Sequence, residues 1–288
     1  MPLNNAMQSY IIFTVDNYRK NNFPDSDLIT YYGSIEHGAL ELWEKQIGNL
    51  VTNREDIPED LVVILSTHGG SVECVEKMVD ISRRFYKKIS FVIPSQAMSA
   101  GTIWAMSGDN IYMSYLSSLG PIDPQVQSND GRWVPALGYL DKFNEIVEKS
   151  KNGTVSQVEL MMINQLDLAN LRRYEQATEL SVSLLKKWLT KYKFKDWSYK
   201  ETTGEAVTER CKLDRARQIA EALSDNNKWL SHSRFINIDT LQSDLNIRID
   251  DYTDNHQMMG ETTNLHDLIL DFKLKNNYAW IIYIAKRE

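Results

Sequence analysis

Two short stretches, about thirty residues apart, carry the residue types that acyl transfer needs. Gly69-Gly70 follows the apolar run 61–65, and Ser99-Ala100-Gly101-Thr102 follows the apolar run 89–93. Each stretch lies where a strand is predicted to turn into a helix. A serine at such a turn is open to substrate, and the amides of glycines and helix starts can stabilise an oxyanion. The pair therefore predicts Ser99 as a nucleophile, with oxyanion donors supplied by the backbone.

Each stretch alone has a commoner structural role. A serine before a helix is most often an N-cap, and two glycines after a strand most often form a turn. The two stretches recur, however, on successive strand–helix units of the same chain. This recurrence favours the functional interpretation.

The surrounding pattern predicts an α/β fold. Within 61–113 the order is strand, helix, strand, helix, strand, and the run 61–65 is apolar on both faces, as in a buried parallel strand. Residues 1–8 are predicted to be a loose arm, and the β-branched run 10–15 an edge strand. We divide the chain into an α/β part, 1–135, and a mostly helical part, 136–288, which packs on the core or on a neighbouring subunit.

The predicted elements of the second part are mainly helices. They cover 136–149, 158–191 as one helix or two, 205–223 and 265–274, and a terminal strand covers 279–284.

Composition restricts the class of protein. The net charge of −7 gives no reason to expect nucleic acid or an anionic membrane as a partner. Cys74 and Cys211 form no metal-type spacing or disulfide framework, which indicates a reducing compartment. The sequence has no secretory signal pattern and no apolar run of membrane-spanning length. We therefore expect a soluble, cytoplasmic protein that needs no cofactor and no metal.

Three segments of this chain resemble one family. They are LVVILSTHGGSVE from residue 61, VIPSQAMSAGTIWAMSGDNIYM from residue 92, and LSSLGPIDPQV from residue 116. They are similar to the serine dehydrogenase proteinase family of the Clp/crotonase superfamily, which is related to the signal peptide peptidase A group. A weaker likeness, Trp229-Leu230-Ser231-His232, is similar to a tryptophan-x-x-histidine element of that family.

The resemblance implies a Clp/crotonase-like core of repeated β-β-α units with a helical C-terminal extension, and a serine peptidase. Ser99 matches the nucleophile, and Gly70 and Ala100 match the oxyanion amides. Clp-type peptidases have a histidine about twenty-five residues after the serine, where this chain has Pro124. That departure favours the Ser-Lys dyad of the signal peptide peptidase relatives, with Lys142 on a predicted amphipathic helix as the base.

Three further residues have open roles. His232 is another possible base, although packing or an interface role would also explain it. Asp123 is predicted to position the turn between two prolines. His68 replaces the proline usual in relatives, either as a group at the rim of the site or as a tolerated turn residue.

The function that we predict is cleavage of a peptide or protein substrate through an acyl-enzyme on Ser99. One alternative is a non-catalytic assembly or sensor protein of the same fold. A crotonase-type acyl-CoA enzyme is a weaker alternative, because such enzymes lack the Ser-Ala-Gly-Thr nucleophile. The family resemblance also implies a homo-oligomer.

Overall fold

The computed structural model describes residues 2–127, 133–164, 167–200 and 203–287. The strands in these ranges are β1 (Asp27–Gly33), β2 (Asp60–Ser66), β3 (Lys88–Val92), β4 (Gln96–Ala97), β5 (Asn110–Met113), β6 (Ser118–Leu119), β7 (Gln125–Gln127), β8 (Trp133–Pro135), β9 (Asp250–Asp251), β10 (Trp280–Ile281) and β11 (Ile284–Ala285). The helices are α1 (Pro2–Asn22), α2 (His37–Val51), α3 (Val72–Phe85), α4 (Ala100–Ala105), α5 (Ala136–Lys151), α6 (Gln157–Ile163), α7 (Leu168–Trp188), α8 (Glu209–Ser224), α9 (Asn226–Trp229), α10 (Ile238–Ser243) and α11 (His256–Lys275).

The main sheet is mostly parallel. Its order is β10-β1-β2-β3-β5-β9; the neighbours from β1 to β9 are parallel, while β10 and β11 pair antiparallel with β1. Strand β2 lies inside this sheet, and residues 61–65 are buried on both faces, as the sequence predicts. The parallel order brings the carboxyl ends of β2, β3 and β5 to one edge, where the small-residue turns lie.

A second, smaller β layer begins where those strands end. Strands β4 and β6 pair in parallel, and single bridges join Thr67 to Ala97 and Leu119 to Ile236. Another bridge joins Ile35 to Gly70. The chain after each main strand is therefore held by short backbone pairings instead of forming a free loop.

The larger hydrophobic core combines both parts of the chain. Tyr31, Trp43 and Trp104 pack edge-to-face, with ring centroids 4.9 Å apart for the two tryptophans and 5.0 Å apart for Tyr31 and Trp104. Leu184 and Trp188 of α7 belong to the same cluster. Packing of this kind makes the second part a structural component of the α/β layer.

A buried ion network ties the helical part to the sheet. The Asp109 carboxylate, immediately before β5, accepts hydrogen bonds from Arg83 at 2.8 Å, from Lys195 at 2.5 Å and from the Ile89 amide at 2.8 Å. Burial opposes ionisation of this carboxyl, but the three donors outweigh burial and lower its pKa.

The predicted N-terminal arm and edge strand were wrong, because residues 2–22 form helix α1. Ile11, Val15 and Tyr18 are buried at helical spacing, whereas Ile12 and Phe13 are 50% and 60% exposed. The β-branched run suggested a strand, but the stripe that packs on α11 has the helical period.

The long helical stretch predicted over 158–191 is divided in two. It consists of α6 and α7, and α7 continues into a short π-helix, Leu189–Lys193.

Candidate active site

Ser99 occupies a strained turn between β4 and α4. Its backbone has φ 53° and ψ −119°, a conformation that non-glycine residues seldom adopt. The side chain is half-buried and does not cap α4, and its hydroxyl bonds to no other described residue. The commoner N-cap role therefore does not explain this serine, and its hydroxyl is open to a ligand.

The Gly69-Gly70 turn lies directly against Ser99. A Cβ atom added to Gly69 would come 2.8 Å from the Ser99 Cβ, and one added to Gly70 would come 2.1 Å from the Ile35 carbonyl oxygen. Both glycines also have positive φ, +105° and +145°. Only glycine fits these conformations without strain, so the turn can approach the serine closely.

Two backbone amides near Ser99 are unpaired. Ile35 donates to the Gly69 carbonyl and accepts from the Ser71 amide. Because the residues on both sides of Gly70 make these bonds, the Gly70 N–H points away from Ile35. Ala100 is the first residue of helix α4, so its N–H has no hydrogen-bond partner within the helix. Neither amide has an acceptor within the described part of the chain. These are the two donors that the sequence predicts for an oxyanion.

Thr102 connects the nucleophile helix to the following segment. Its hydroxyl accepts the Gly120 amide at 2.9 Å and lies 2.8 Å from the Ala97 carbonyl oxygen. Gly120 in turn packs against Met98, since a Cβ on that glycine would come 2.5 Å from the methionine Cε. The Gly-Pro-Ile-Asp segment is thereby fixed beside Ser99.

That segment presents Asp123 to His232. The Asp123 side chain is 1% exposed, and its Oδ1 lies 2.9 Å from His232 Nδ1. Its Oδ2 accepts the Gln125 side-chain amide at 2.9 Å. A carboxylate accepts only, so Nδ1 carries the proton and Nε2 is left as the basic nitrogen.

Backbone pairing positions the histidine segment. Leu119 and Ile236 exchange hydrogen bonds of 3.0 and 2.8 Å, and the Ile122 amide donates to the Leu223 carbonyl at 3.0 Å. These bonds hold the loop after α9 antiparallel to the segment that ends at Asp123. Sequence reasoning named both residues of the Asp123–His232 pair but assigned them separate roles.

Lys142 lies elsewhere, on the exposed surface of α5. Its side chain is 47% exposed, and its Nζ lies 2.9 Å from the Glu145 carboxylate. Hydrogen bonds from Lys142 and Lys149 lower the pKa of the Glu145 carboxyl. No contact between Lys142 and Ser99 is formed. The structure thus brings together Ser99, Gly70 and Ala100, and separately Asp123 and His232, but does not add Lys142 to either group.

His68 lies at the rim, immediately before the glycine turn. It is exposed, and its Nδ1 is 3.5 Å from the Gln96 side-chain amide. Within the described ranges, no group of three or more His, Cys, Asp or Glu side chains could hold a metal ion. No helix in those ranges has the length and apolar character to cross a membrane.

Comparison with known proteins relates the site to a protease family. Residues 39–227 match the model for ClpP-like SDH-type serine proteinases, a range that contains Ser99, Gly70 and Asp123. This match confirms the family and the Clp-like fold that the sequence predicts.

Two curated relatives are uncharacterized proteins of Methanocaldococcus jannaschii. One is 29% identical over 150 residues, which cover 52% of this chain and 46% of that protein. The other is 33% identical over 72 residues, which cover 25% of this chain and 24% of that protein. The chain therefore matches less than half the length of either relative.

Solved structures that match this chain in backbone structure include proteases. A variant of the membrane-bound stomatin-specific protease 1510-N has 12% identity and a TM-score of 0.46, and the match covers 81% of each chain. A second variant, in complex with a substrate peptide, has 13% identity and a TM-score of 0.44, covering 77% of this chain and 72% of that one. ClpP1 from Listeria monocytogenes has 13% identity and a TM-score of 0.40, covering 85% and 93%.

Proposed function

Because the chain belongs to the family of ClpP-like SDH-type serine proteinases, we propose that it is a serine peptidase with Ser99 as its nucleophile. The observation that carries the proposal is the contact between the two turns. Ser99 lies against Gly69, and the amides of the next residues, Gly70 and Ala100, have no acceptor in the described part of the chain. A hydroxyl beside two free donors is the arrangement that acyl transfer requires.

The base that we propose is His232, oriented by Asp123. The buried carboxylate fixes the imidazole through Nδ1 and stabilises the imidazolium that forms when Nε2 accepts a proton. A lysine base would have to be desolvated to be neutral near pH 7, whereas Lys142 is exposed and held in an ion pair. For this reason we favour the Ser99–His232–Asp123 set over the Ser-Lys dyad predicted from the sequence.

The reaction then follows in two halves. Ser99 Oγ attacks the substrate carbonyl carbon while His232 Nε2 takes the hydroxyl proton, and the oxyanion binds the Gly70 and Ala100 amides. The C–N bond breaks as His232 returns that proton to the leaving amine, which leaves an acyl ester on Ser99. Water attacks the ester with His232 again as base, the C–O bond to Ser99 breaks, and the hydroxyl is restored.

The substrate is a peptide or protein bound in extended form. Within the described residues Gly70 pairs with Ile35 on one edge and with no strand on the other, so a substrate strand can add along that second edge by backbone hydrogen bonds. We further propose that the chain acts as a homo-oligomer in the cytoplasm. Light scattering tests the oligomeric state.

Covalent labelling tests the function directly. A fluorophosphonate probe should label Ser99, located by mass spectrometry of the labelled peptide, and Ser99→Ala should abolish both labelling and peptide hydrolysis. Ser95→Ala is the matched control, since this nearby residue bonds through its backbone carbonyl and not its hydroxyl. Absence of labelling in folded protein with several probes, or hydrolysis retained in Ser99→Ala, would refute the proposal and leave the non-catalytic or acyl-CoA alternatives.

A further inference from the structure

A surface cavity of 430 Å³ adjoins the segment that carries His232. Its lining includes Lys228 and Trp229 of α9, then Arg234 and Phe235, and finally Asp244 just after α10. His232 lies between Trp229 and Arg234 in the chain. Much of the cavity wall and the proposed base therefore belong to one short segment, 228–235.

The cavity presents two cations without acidic partners. Arg234 is exposed, and its guanidinium forms no ion pair or hydrogen bond within the described ranges. The Lys228 ammonium lies 4.9 Å from the centre of the Trp229 ring and has no carboxylate partner there either. Asp244 is the one acidic residue of the lining, and its carboxylate accepts the Ser243 hydroxyl at 2.8 Å. With two cations and one carboxylate the lining has a net charge of +1, in contrast to the net charge of −7 of the whole chain.

Two aromatic side chains supply the apolar walls of the cavity. Trp229 is 5% exposed and is fixed by a 2.7 Å hydrogen bond from its indole to the Ala222 carbonyl. Phe235 is 66% exposed at the cavity rim. A fixed aromatic wall and an exposed guanidinium together fit a group with a short apolar stem and a carboxylate end.

We propose that this cavity is a subsite for a carboxylate of the peptide substrate, an inference that rests on the proposed peptidase function. Arg234 and Lys228 bind the carboxylate, and the stem that bears it packs on Trp229 and Phe235. A guanidinium can bind a carboxylate by two parallel hydrogen bonds, which gives selectivity for the charged group over an amide of the same shape. Either an acidic side chain or a free C-terminus supplies this chemistry.

Binding to the Ser99→Ala protein tests the subsite without turnover. Fluorescein-labelled decapeptides, identical except for one Glu moved along the chain, are each paired with the Gln peptide, and a free C-terminal acid is paired with its amide. Fluorescence anisotropy gives the dissociation constants. We expect one carboxylate position to bind about 5- to 10-fold more tightly than its uncharged counterpart. The Glu series and the acid–amide pair distinguish a side chain from a C-terminus.

Substitutions then assign the preference to the cavity. Arg234→Gln should reduce the charged-to-neutral ratio to about 1 and leave binding of the neutral peptides unchanged, and Lys228→Gln should lower the ratio partially. Arg210→Gln is the control, because that side chain is 92% exposed on α8 and outside the cavity. Light scattering confirms that the variants keep the oligomeric state of the parent.

Two results would overturn the subsite. One is equal binding of every charged and neutral pair, and the other is a preference that survives both Arg234→Gln and Lys228→Gln. Fluorophosphonate labelling of Ser99 in the active protein reports separately on the peptidase function. Labelling without a carboxylate preference rejects the subsite alone, and a preference without labelling rejects the peptidase chemistry.

Discussion

Asp123→Asn removes one charge from the proposed site and leaves its shape nearly unchanged. In the native protein Asp123 Oδ1 lies 2.9 Å from His232 Nδ1, and Oδ2 accepts the Gln125 amide at 2.9 Å. An asparagine can keep its oxygen toward Gln125 only by turning its NH₂ group toward His232. The imidazole would then accept at Nδ1 and carry its proton on Nε2, the nitrogen that must receive the Ser99 proton.

The size of the effect follows from these two losses. A hydrogen bond to a charged group contributes roughly 1.5–3 kcal/mol, so its loss alone slows the reaction about 10- to 150-fold. The reversed tautomer adds to this loss, and we expect a total decrease in kcat of about 10²- to 10⁴-fold. Lys142→Ala should change kcat by less than about 3-fold, because its exposed ion pair with Glu145 contributes little.

The assay is the rate constant for fluorophosphonate labelling of Ser99, measured with peptide hydrolysis at pH 7. Urea unfolding checks that both variants remain folded. One pair of results would refute this assignment: a labelling rate constant of the Asp123→Asn protein within about 3-fold of wild type, together with a rate constant of the Lys142→Ala protein lowered about 100-fold. The Ser-Lys dyad would then be the mechanism, and our assignment of His232 would be wrong.

Three further predictions concern the turn and the buried charges. Gly70 has φ +145°, and a Cβ on it would come 2.1 Å from the Ile35 carbonyl oxygen, so Gly70→Ala should lower the rate constant of Ser99 labelling by about 100-fold or more. Gly138→Ala is the control and should leave the rate constant unchanged, because a Cβ there meets nothing within 4 Å. Equal rate constants for the two variants would contradict the prediction. Burial lowers the pKa of Lys193 to about 8 in the folded protein. Below that pH the charged ammonium therefore lowers the free energy of unfolding, and this penalty disappears as the pH rises from about 8 toward 10.5, the pKa in the unfolded chain. Lys193→Met should therefore raise stability to urea by about 1–3 kcal/mol at pH 7 and by much less at pH 10, and a gain independent of pH would refute the reasoning. Asp109→Asn leaves the Arg83 side chain, which is 8% exposed, without its carboxylate and should lower the free energy of unfolding by about 3 kcal/mol at pH 7. Because the pKa of Asp109 is lowered in the folded protein, the stability difference between wild type and variant should shrink as the pH falls below about 4 and through the folded pKa. Urea midpoints of both proteins at pH 7 and 3.5 would measure this change.

Features set by neighbouring residues were predictable from the sequence. Strand β2 could be located because five consecutive apolar residues, 61–65, are followed after three residues by two glycines. The turn at Ser99 could be located because small residues follow the next apolar run. In each case one short window contains both the element and its end signal.

Features set by distant packing were not predictable in the same way. The stretch 10–15 has strand-like composition, yet its buried positions follow the helical period because α11 covers that face. The Asp123–His232 hydrogen bond joins residues 109 positions apart, and the antiparallel bridge that aligns them has no local signal. Lys142 was selected by its separation from Ser99 and by its place on a predicted amphipathic helix after the Gly-Pro-Ile-Asp-Pro loop. Neither criterion contains information on the burial of its ammonium group.

The wide separation of Asp123 and His232 also affects when the chain could become active during synthesis. On the proposed mechanism the nucleophile and both oxyanion amides leave the ribosome well before the base, which follows Asp123 by 109 residues. The bridge to Ile236 that holds the histidine loop must form later still. A nascent or prematurely terminated chain would therefore carry an unactivated serine, and hydrolysis would begin only after the helical part had packed.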